Sequence, residues 1–99
     1  MTITNITADQ ARARQQAGAT IVDVRSDGEW AQGHAAGAIH HPVETLDVSR
    51  LPADAELIFI CASGGRSLQA ARLAAGTGRD VFNVVGGTVG WQAMGLPMA

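Results

Sequence analysis

The chain has 99 residues and a mass of 10.2 kDa, which is enough for one hydrophobic core and too little for two. With 46% hydrophobic and 16% charged residues, it is too apolar for a disordered tail and too polar for a membrane span. The formal net charge is −2, and the arginines are scattered without forming a basic stripe, so nucleic acid is not expected as a partner. We therefore expect a single globular domain over residues 1–99.

Two features of the sequence bear on its location. The longest apolar run, residues 57–62, has six residues, whereas a spanning helix needs about 20, so no membrane contact is expected. The amino-terminal segment has neither the cationic start nor the apolar stretch of a secretory signal peptide. A cytoplasmic location is the resulting expectation.

Helices and strands are predicted to alternate along the chain. Residues 7–10 and 26–29 both have the capping-box pattern that opens a helix, and Gly18 is placed to end the first helix. The predicted strands are short and rich in β-branched residues, as in strands buried on both faces of a parallel sheet. In chain order the elements are a helix at 8–17, a strand at 20–24, a short helix at 26–32, a strand at 38–40, one or two helical turns within 43–49, a strand at 56–61, a helix at 66–75, a strand at 80–84 and a short helix that carries Trp91 and Met94.

This alternation predicts an α/β domain with a mostly parallel sheet that is covered by helices on both faces. Ligands of such sheets bind at the carboxyl ends of the strands. Cys61 ends the strand at 56–61, which is the strongest strand in the chain, and is therefore placed where a ligand would bind.

Cys61 is the only cysteine, so no internal disulfide can form and any thiol chemistry must end on an external partner. Two glycines follow it in the loop at 62–65, and this loop leads into the start of a helix. Converging N–H groups and the positive end of the helix favour a thiolate, which predicts a lowered pKa for Cys61. Arg66 can add a cation or brace the loop through its backbone carbonyls.

The alternative interpretation is that Cys61 is a small buried residue at the end of a core strand, where most free cysteines lie. A glycine pair and an arginine at a helix entrance serve no packing purpose, and they favour a nucleophile. His34, His40 and His41 match no standard zinc spacing, so no metal site is expected, and His34 is interpreted as a hydrogen-bonded core residue. Glu29 is interpreted as a capping residue, and Trp91 and Met94 as packing residues, with Trp91 a candidate for the border of the site.

Three segments together resemble the rhodanese-like sulfurtransferases. The segment CASGGRS, in which four residues separate Cys61 from Arg66 and Ser67 follows, is similar to the active-site loop of that family. Residues 21–42, IVDVRSDGEWAQGHAAGAIHHP, resemble its upstream signature, and residues 81–97, VFNVVGGTVGWQAMGLP, resemble its carboxyl-terminal signature.

The resemblance implies a five-stranded parallel sheet and a sulfur-transfer reaction at Cys61. The Cys61 thiolate would take a sulfane sulfur from thiosulfate, polysulfide or a persulfide and pass it to cyanide or a thiol, with a protein donor or acceptor also possible and no cofactor needed. Asp23 and Arg25 match positions that hold neighbouring segments together. The loop residues that would bind the sulfur substrates are Ala62, Ser63, Gly64, Gly65, Arg66 and Ser67.

Two other functions remain open at this point. Some rhodanese-like domains are non-catalytic modules that bind a partner protein, although such modules commonly lose the cysteine that this chain keeps. Phosphatases and arsenate reductases with a similar loop place five residues between cysteine and arginine, and the four residues here favour a sulfur-sized site. Ala62 and Ser63 stand where members that use thiosulfate often carry a cation, so a persulfide or polysulfide is at least as good a candidate donor.

Overall fold

A parallel sheet forms the centre of the computed structural model, which describes residues 2–99. Within that range there are five strands, four α-helices and two short 3₁₀ turns. The strands are β1 (Ile3–Ile6), β2 (Thr20–Asp23), β3 (Ile39–His40), β4 (Leu57–Ile60) and β5 (Val81–Val84). The helices are α1 (Ala8–Gln16), α2 (Asp27–Ala31), α3 (Gly65–Ala75) and α4 (Gly87–Ala93), and the 3₁₀ turns are Val43–Thr45 and Val48–Arg50.

The strand order is β1-β5-β4-β2-β3, and all the pairings within the sheet are parallel. Strand β4 is therefore central, and each of its four residues is buried. Leu57 and Phe59 pack on the face that α3 covers, whereas Ile58 and Ile60 pack on the face that contacts α1 and α4. The predicted α/β architecture, with helices on both faces of a parallel sheet, is confirmed.

Helix α3 packs closely on the sheet because small residues form its inner face. Ala70, Ala71 and Ala74 are fully buried and lie in the same cluster as Phe59. A methyl side chain allows the helix backbone to approach the strands and loses no rotamer entropy on burial. This close packing fixes the start of α3, which follows the Cys61 loop directly.

Strand β1 was not among the elements predicted from the residue pattern, which gave four strands. It pairs with β5 at the edge of the sheet, with Ile3 opposite Val81, and only Ile6 is fully buried. A short edge strand with a mixed burial pattern carries little hydrophobic signal of its own. The fifth strand that the resemblance implied is this one.

The capping residues Ser26 and Glu29 and the pair of Asp23 and Arg25 have the structural roles predicted for them. Ser26 and Glu29 exchange hydrogen bonds at the start of α2, each with a donor to acceptor distance of 3.3 Å. Arg25 forms an ion pair with Asp23 at 2.8 Å and also donates to the carbonyl of Gly33 at 2.9 Å. The pair thus connects the end of β2 to the turn after α2.

The aromatic and histidine side chains of this region form a stack. His34 and His40 lie against Trp30 with centroid distances of 3.4 Å and 4.7 Å. The half-buried His34 also hydrogen-bonds the Trp30 carbonyl through Nδ1 at 3.1 Å. These contacts give both histidines a packing role.

Trp91 and Met94 differ, although both were predicted to pack. Trp91 is fully buried, and its Nε1 donates to the Pro97 carbonyl at 2.8 Å, so its packing role is confirmed, whereas its place at the border of the site stays a prediction. The prediction for Met94 is wrong, because its side chain is 54% exposed. Met94 is the residue that caps the end of α4, where the chain turns at Gly95, so it lies beyond the helix's buried stripe.

Within residues 2–99, each helix is too short or too polar to span a bilayer.

Candidate active site

Cys61 lies at the carboxyl end of β4, in the tight loop that joins this strand to α3. Its side chain is almost completely enclosed, with 1% of the residue exposed. Gly64 precedes α3 with a φ of +123°, a conformation that other residues rarely adopt. The glycine therefore lets the loop turn back over the sulfur.

The sulfur is held by groups that donate hydrogen bonds. The Gly64 N–H donates to Cys61 Sγ at 3.0 Å, and Ser67 Oγ lies 3.3 Å from the sulfur. Burial raises the pKa of Cys61, but the Ser67 hydroxyl and the N–H groups of Ser67, Gly64 and Ser63 lower it by more. The net effect is a pKa below the ordinary value for a thiol, in the direction that the sequence predicted.

The beginning of α4 fixes the other side of the loop. The Thr88 N–H donates to the Cys61 carbonyl at 2.7 Å, and the Val89 N–H donates to the Ala62 carbonyl at 3.2 Å. These bonds direct both carbonyl oxygens to the first N–H groups of α4. The loop carbonyls are thereby satisfied, while backbone N–H groups of the loop converge on Sγ.

Gly87 makes this contact possible. Its φ is +55°, and a Cβ atom at this position would collide with the Cys61 carbonyl oxygen and lie 2.6 Å from the Ala62 oxygen. In the sequence, the glycine pair at 86–87 was noted only as part of a family signature. Its position immediately before a helix was the available signal for a close backbone approach.

Arg66 does not brace the loop carbonyls, which corrects one of the two roles expected of it. Its Nη1 and Nη2 instead donate to Glu29 at 2.6 Å and 2.9 Å. The hydrogen bonds from Arg66, supported by Ser26, lower the pKa of Glu29 to about 2. Glu29 therefore caps α2 as predicted and, in addition, holds the loop arginine.

The six predicted loop residues thus divide by what they do. Gly64 and Ser67 contact the sulfur directly, and Ser63 contributes its backbone N–H while its side chain is exposed. Ala62 anchors the loop to α4, Gly65 begins α3, and Arg66 binds Glu29.

The charge of Arg66 acts on Cys61, and a substitution of Glu29 tests this effect. Glu29 and, to a smaller extent, the Cys61 thiolate raise the pKa of Arg66. Glu29→Gln removes the carboxylate charge and keeps a residue type that completes a capping box. We expect the pH midpoint of Cys61 alkylation by iodoacetamide to fall, because Arg66 becomes an unpaired cation beside the thiolate. An unchanged midpoint would mean that the charge of Arg66 does not reach the sulfur.

The same ion pair is expected to have a defined pH window. The pKa of Glu29 is lowered from 4.5 to about 2, so the pair stabilises the fold above the unfolded pKa and is lost as the pH falls through the folded one. Wild type should therefore be more stable than Glu29→Gln at pH 7, and the difference should shrink steadily as the pH falls from 4.5 toward 2. Urea denaturation of both proteins between pH 7 and pH 2.5 measures this. A difference that is constant over this range would contradict the ionic origin of the effect.

The chain is similar to known proteins in both sequence and fold. The family profile of the rhodanese-like domain matches residues 7–94. A sulfurtransferase from Allochromatium vinosum is 37% identical over 82 residues, which are 79% of this chain and 76% of the relative. The thiosulfate sulfurtransferase GlpE of Ectopseudomonas mendocina is 34% identical over 91 residues, which are 89% of this chain and 84% of the relative. The crystal structure of a rhodanese-related protein from Thermoplasma volcanium matches with a TM-score of 0.88 at 30% identity over 97% of both chains.

Proposed function

The chain belongs to the rhodanese-like domain family, and on that premise we propose that it is a sulfurtransferase that carries a sulfane sulfur on Cys61 as a persulfide. Relatives in the family bear the name sulfurtransferase. The observation that carries the proposal is the environment of Cys61 Sγ, where the Gly64 N–H donates at 3.0 Å and the Cys61 and Ala62 carbonyls are bonded to α4. Such a site stabilises an anionic sulfur before and after transfer.

The proposed reaction has two displacement steps. The Cys61 thiolate attacks the sulfane sulfur of the donor, the donor's S–S bond breaks, and the leaving group departs with the electron pair. With thiosulfate the leaving group is sulfite, and with a persulfide or polysulfide it is a thiolate or a shorter polysulfide. Cyanide or an external thiolate then attacks the outer sulfur of the Cys61 persulfide and restores the thiolate. Cys61 is the only cysteine of the chain, so this second step must be intermolecular.

The charge of the loop favours a singly charged persulfide donor over the thiosulfate dianion. Ala62 and Ser63 are uncharged, and the guanidinium of Arg66 is already paired with Glu29 at 2.6 Å. A dianionic donor therefore meets backbone N–H groups but no free cation in the loop. A singly charged persulfide loses less hydration energy than thiosulfate when it enters such a site, whereas an inorganic polysulfide carries the same double charge as thiosulfate.

The position of Arg66 also argues against a phosphatase or an arsenate reductase. A phosphoryl group is held best by a guanidinium that presents two N–H groups to its oxygens. Both terminal nitrogens of Arg66 donate to Glu29 instead.

Intact mass spectrometry tests the proposed function. The reduced protein is incubated separately with thiosulfate and with polysulfide, and the masses are compared with and without later addition of cyanide. We expect a gain of one sulfur atom, roughly 32 Da, and its loss as thiocyanate on addition of cyanide. The donor that gives the larger yield at equal concentration is the better substrate. No adduct from either donor, on a thiol that iodoacetamide still alkylates, would reject the proposal in favour of a non-catalytic binding module.

A further inference from the structure

A chain of hydrogen bonds leads from Cys61 through the sheet to its edge. Ser67 Oγ lies 3.3 Å from Cys61 Sγ and 2.6 Å from Asn83 Oδ1 on β5. Asn83 Nδ2 then donates to Asn5 Oδ1 at 3.1 Å, across the β1 and β5 pairing. Ser67 is fully buried and Asn83 is 4% exposed, whereas Asn5 is exposed on the edge strand. Of the four residues in this hydrogen-bond network, only Cys61 and Ser67 were predicted from the sequence as site residues.

The single proton of the Ser67 hydroxyl is the critical element of this network. A serine hydroxyl donates one hydrogen bond, and three acceptors surround it here. They are the Asn83 amide oxygen at 2.6 Å, the Gly64 carbonyl at 3.1 Å and, when Cys61 is ionised, its sulfur at 3.3 Å. The shortest of these contacts is to Asn83, so Asn83 competes with the thiolate for the proton.

In one arrangement that these distances allow, the side-chain donors run from Cys61 toward β1, while the Gly64 N–H still donates to Cys61 Sγ. The thiol of Cys61 donates to Ser67, Ser67 donates to Asn83, and Asn83 donates to Asn5. This direction satisfies a neutral thiol. A thiolate or a persulfide anion needs the reverse direction, in which the Ser67 hydroxyl donates to sulfur.

The network can reverse without a change of shape. Turning an asparagine amide by 180° exchanges its oxygen and nitrogen with almost no change in volume. The amide of Asn83 has two side-chain partners, the rotatable hydroxyl of Ser67 and the exposed amide of Asn5. In the reversed state Asn5 donates to Asn83, Asn83 donates to Ser67, and Ser67 donates to Cys61, so that every group keeps a partner.

We propose that Asn83 is a positioning residue for the Cys61 sulfur, whose amide sets the direction of the Ser67 hydroxyl, and that Asn5 in turn sets the direction of this amide. The use of this control in sulfur transfer rests on the proposed function. The effect of Asn83 on the Cys61 thiolate does not rest on that function, because alkylation measures the ionisation of Cys61 without any sulfur donor.

The charged groups that surround this network are common to all variants in the test. Arg14 of α1, which lines one cavity together with Thr4 and Asn5, pairs with Glu56 at 3.1 Å. Arg66 binds Glu29, with Glu44 of the first 3₁₀ turn also acting on Arg66, and Asp23 of β2 binds Arg25. Asn5 and Asn83 carry no charge, and their side-chain hydrogen bonds join them to each other and to Ser67.

Asn5→Asp tests the proposal at the exposed end of the network, where folding is not at risk. An aspartate only accepts, so it holds Asn83 Nδ2 toward β1 and Asn83 Oδ1 toward Ser67. We expect the pH midpoint of Cys61 alkylation by iodoacetamide to rise by about one unit, which is about tenfold slower alkylation at a fixed pH below the midpoint. Asn5→Ala removes this constraint and should not raise the midpoint.

Two further variants separate hydrogen-bond direction from charge and from Ser67 itself. Thr4→Asp places the same charge on the neighbouring exposed residue, whose side chain points to the opposite face of the sheet. It should move the alkylation midpoint much less than Asn5→Asp does, and this difference should persist in 1 M salt.

Ser67→Ala removes the hydroxyl donor and should raise the midpoint at least as far as Asn5→Asp does. Equal shifts for Asn5→Asp and Thr4→Asp, or no shift for Ser67→Ala, would overturn the proposal.

The failure of this proposal is distinguishable from failure of the proposed function. A wild-type protein that takes no sulfur from thiosulfate or polysulfide would reject the sulfurtransferase function, while the alkylation series would still show whether Asn83 controls the thiolate. If wild type takes up sulfur but the alkylation midpoints of all variants are equal, the proposed function stands and the role of Asn83 is rejected.

Discussion

Cys61→Ser is expected to abolish sulfur loading, with a fall in the rate of about a thousandfold or more. The reason is ionisation, because the loop lowers the pKa of a thiol through hydrogen bonds but provides no base for a hydroxyl. Ser67 contacts Sγ and Asn83 contacts Ser67, and both of these side chains are uncharged. Intact mass after incubation with thiosulfate or polysulfide should show the gain of sulfur on wild type alone.

The fold of this variant should be retained, because a serine hydroxyl is similar in size to a thiol and can use the same donors. Circular dichroism and thermal unfolding verify this. Ser63→Ala is the matched control within the loop, since Ser63 acts through its backbone N–H and its side chain is exposed. We expect it to load sulfur at close to the wild-type rate. A Cys61→Ser protein that gains sulfur would place the acceptor atom elsewhere and contradict the proposed mechanism.

The parts of the site that the sequence predicted are those that lie close together in the chain. The loop from Cys61 to Ser67 is one continuous segment, so a glycine pair before a helix was enough to predict a lowered pKa for the thiol. The resemblance to the rhodanese-like family, which rested on three motifs, is confirmed by the match over residues 7–94. The catalytic role of the loop stays a prediction.

The parts that the sequence did not predict depend on contacts between distant segments. Arg66 and Glu29 are 37 positions apart, and Ser67 and Asn83 are 16 apart. No local pattern gives the partner of a charged side chain, because it depends on which strand ends meet at the same edge of the sheet. The strand β1 was missed for a related reason, since its stability comes from the pairing with β5 rather than from its own hydrophobicity.

The polarity of the loop comes from two helices rather than one. Helix α3 begins at Gly65, and the N–H groups of its N-cap Gly64 and of Ser67 in its first turn act on the sulfur. The first turn of α4 has its own unpaired N–H groups, and those of Thr88 and Val89 take the Cys61 and Ala62 carbonyls. These two hydrogen bonds thus hold the Cys61 and Ala62 carbonyl dipoles at α4, where they do not oppose an anionic sulfur.

Gly87→Ala is therefore expected to damage both the fold and the site. A methyl group at this position meets the Cys61 carbonyl and lies 2.6 Å from the Ala62 oxygen, and the φ of +55° adds backbone strain. Strain and overpacking together are expected to cost about 2–5 kcal/mol, which lowers the Tm of a domain of this size by about 10 °C or more. Thermal unfolding measures this loss, and iodoacetamide alkylation well below the Tm measures the site. The alkylation midpoint should rise, because α4 can no longer hold the two carbonyls away from Sγ.

Gly90→Ala is the control for this substitution, since Gly90 lies in the same helix without a positive φ. The nearest atom to a Cβ at this position is the Val85 carbonyl oxygen at 4.0 Å, which leaves room for a methyl group. An alanine there should stabilise the protein by up to about 1 kcal/mol, through its higher helix propensity, and leave the alkylation midpoint unchanged. If Gly87→Ala were as stable as Gly90→Ala and kept the wild-type midpoint, the close approach of α4 would not be what orients the Cys61 loop.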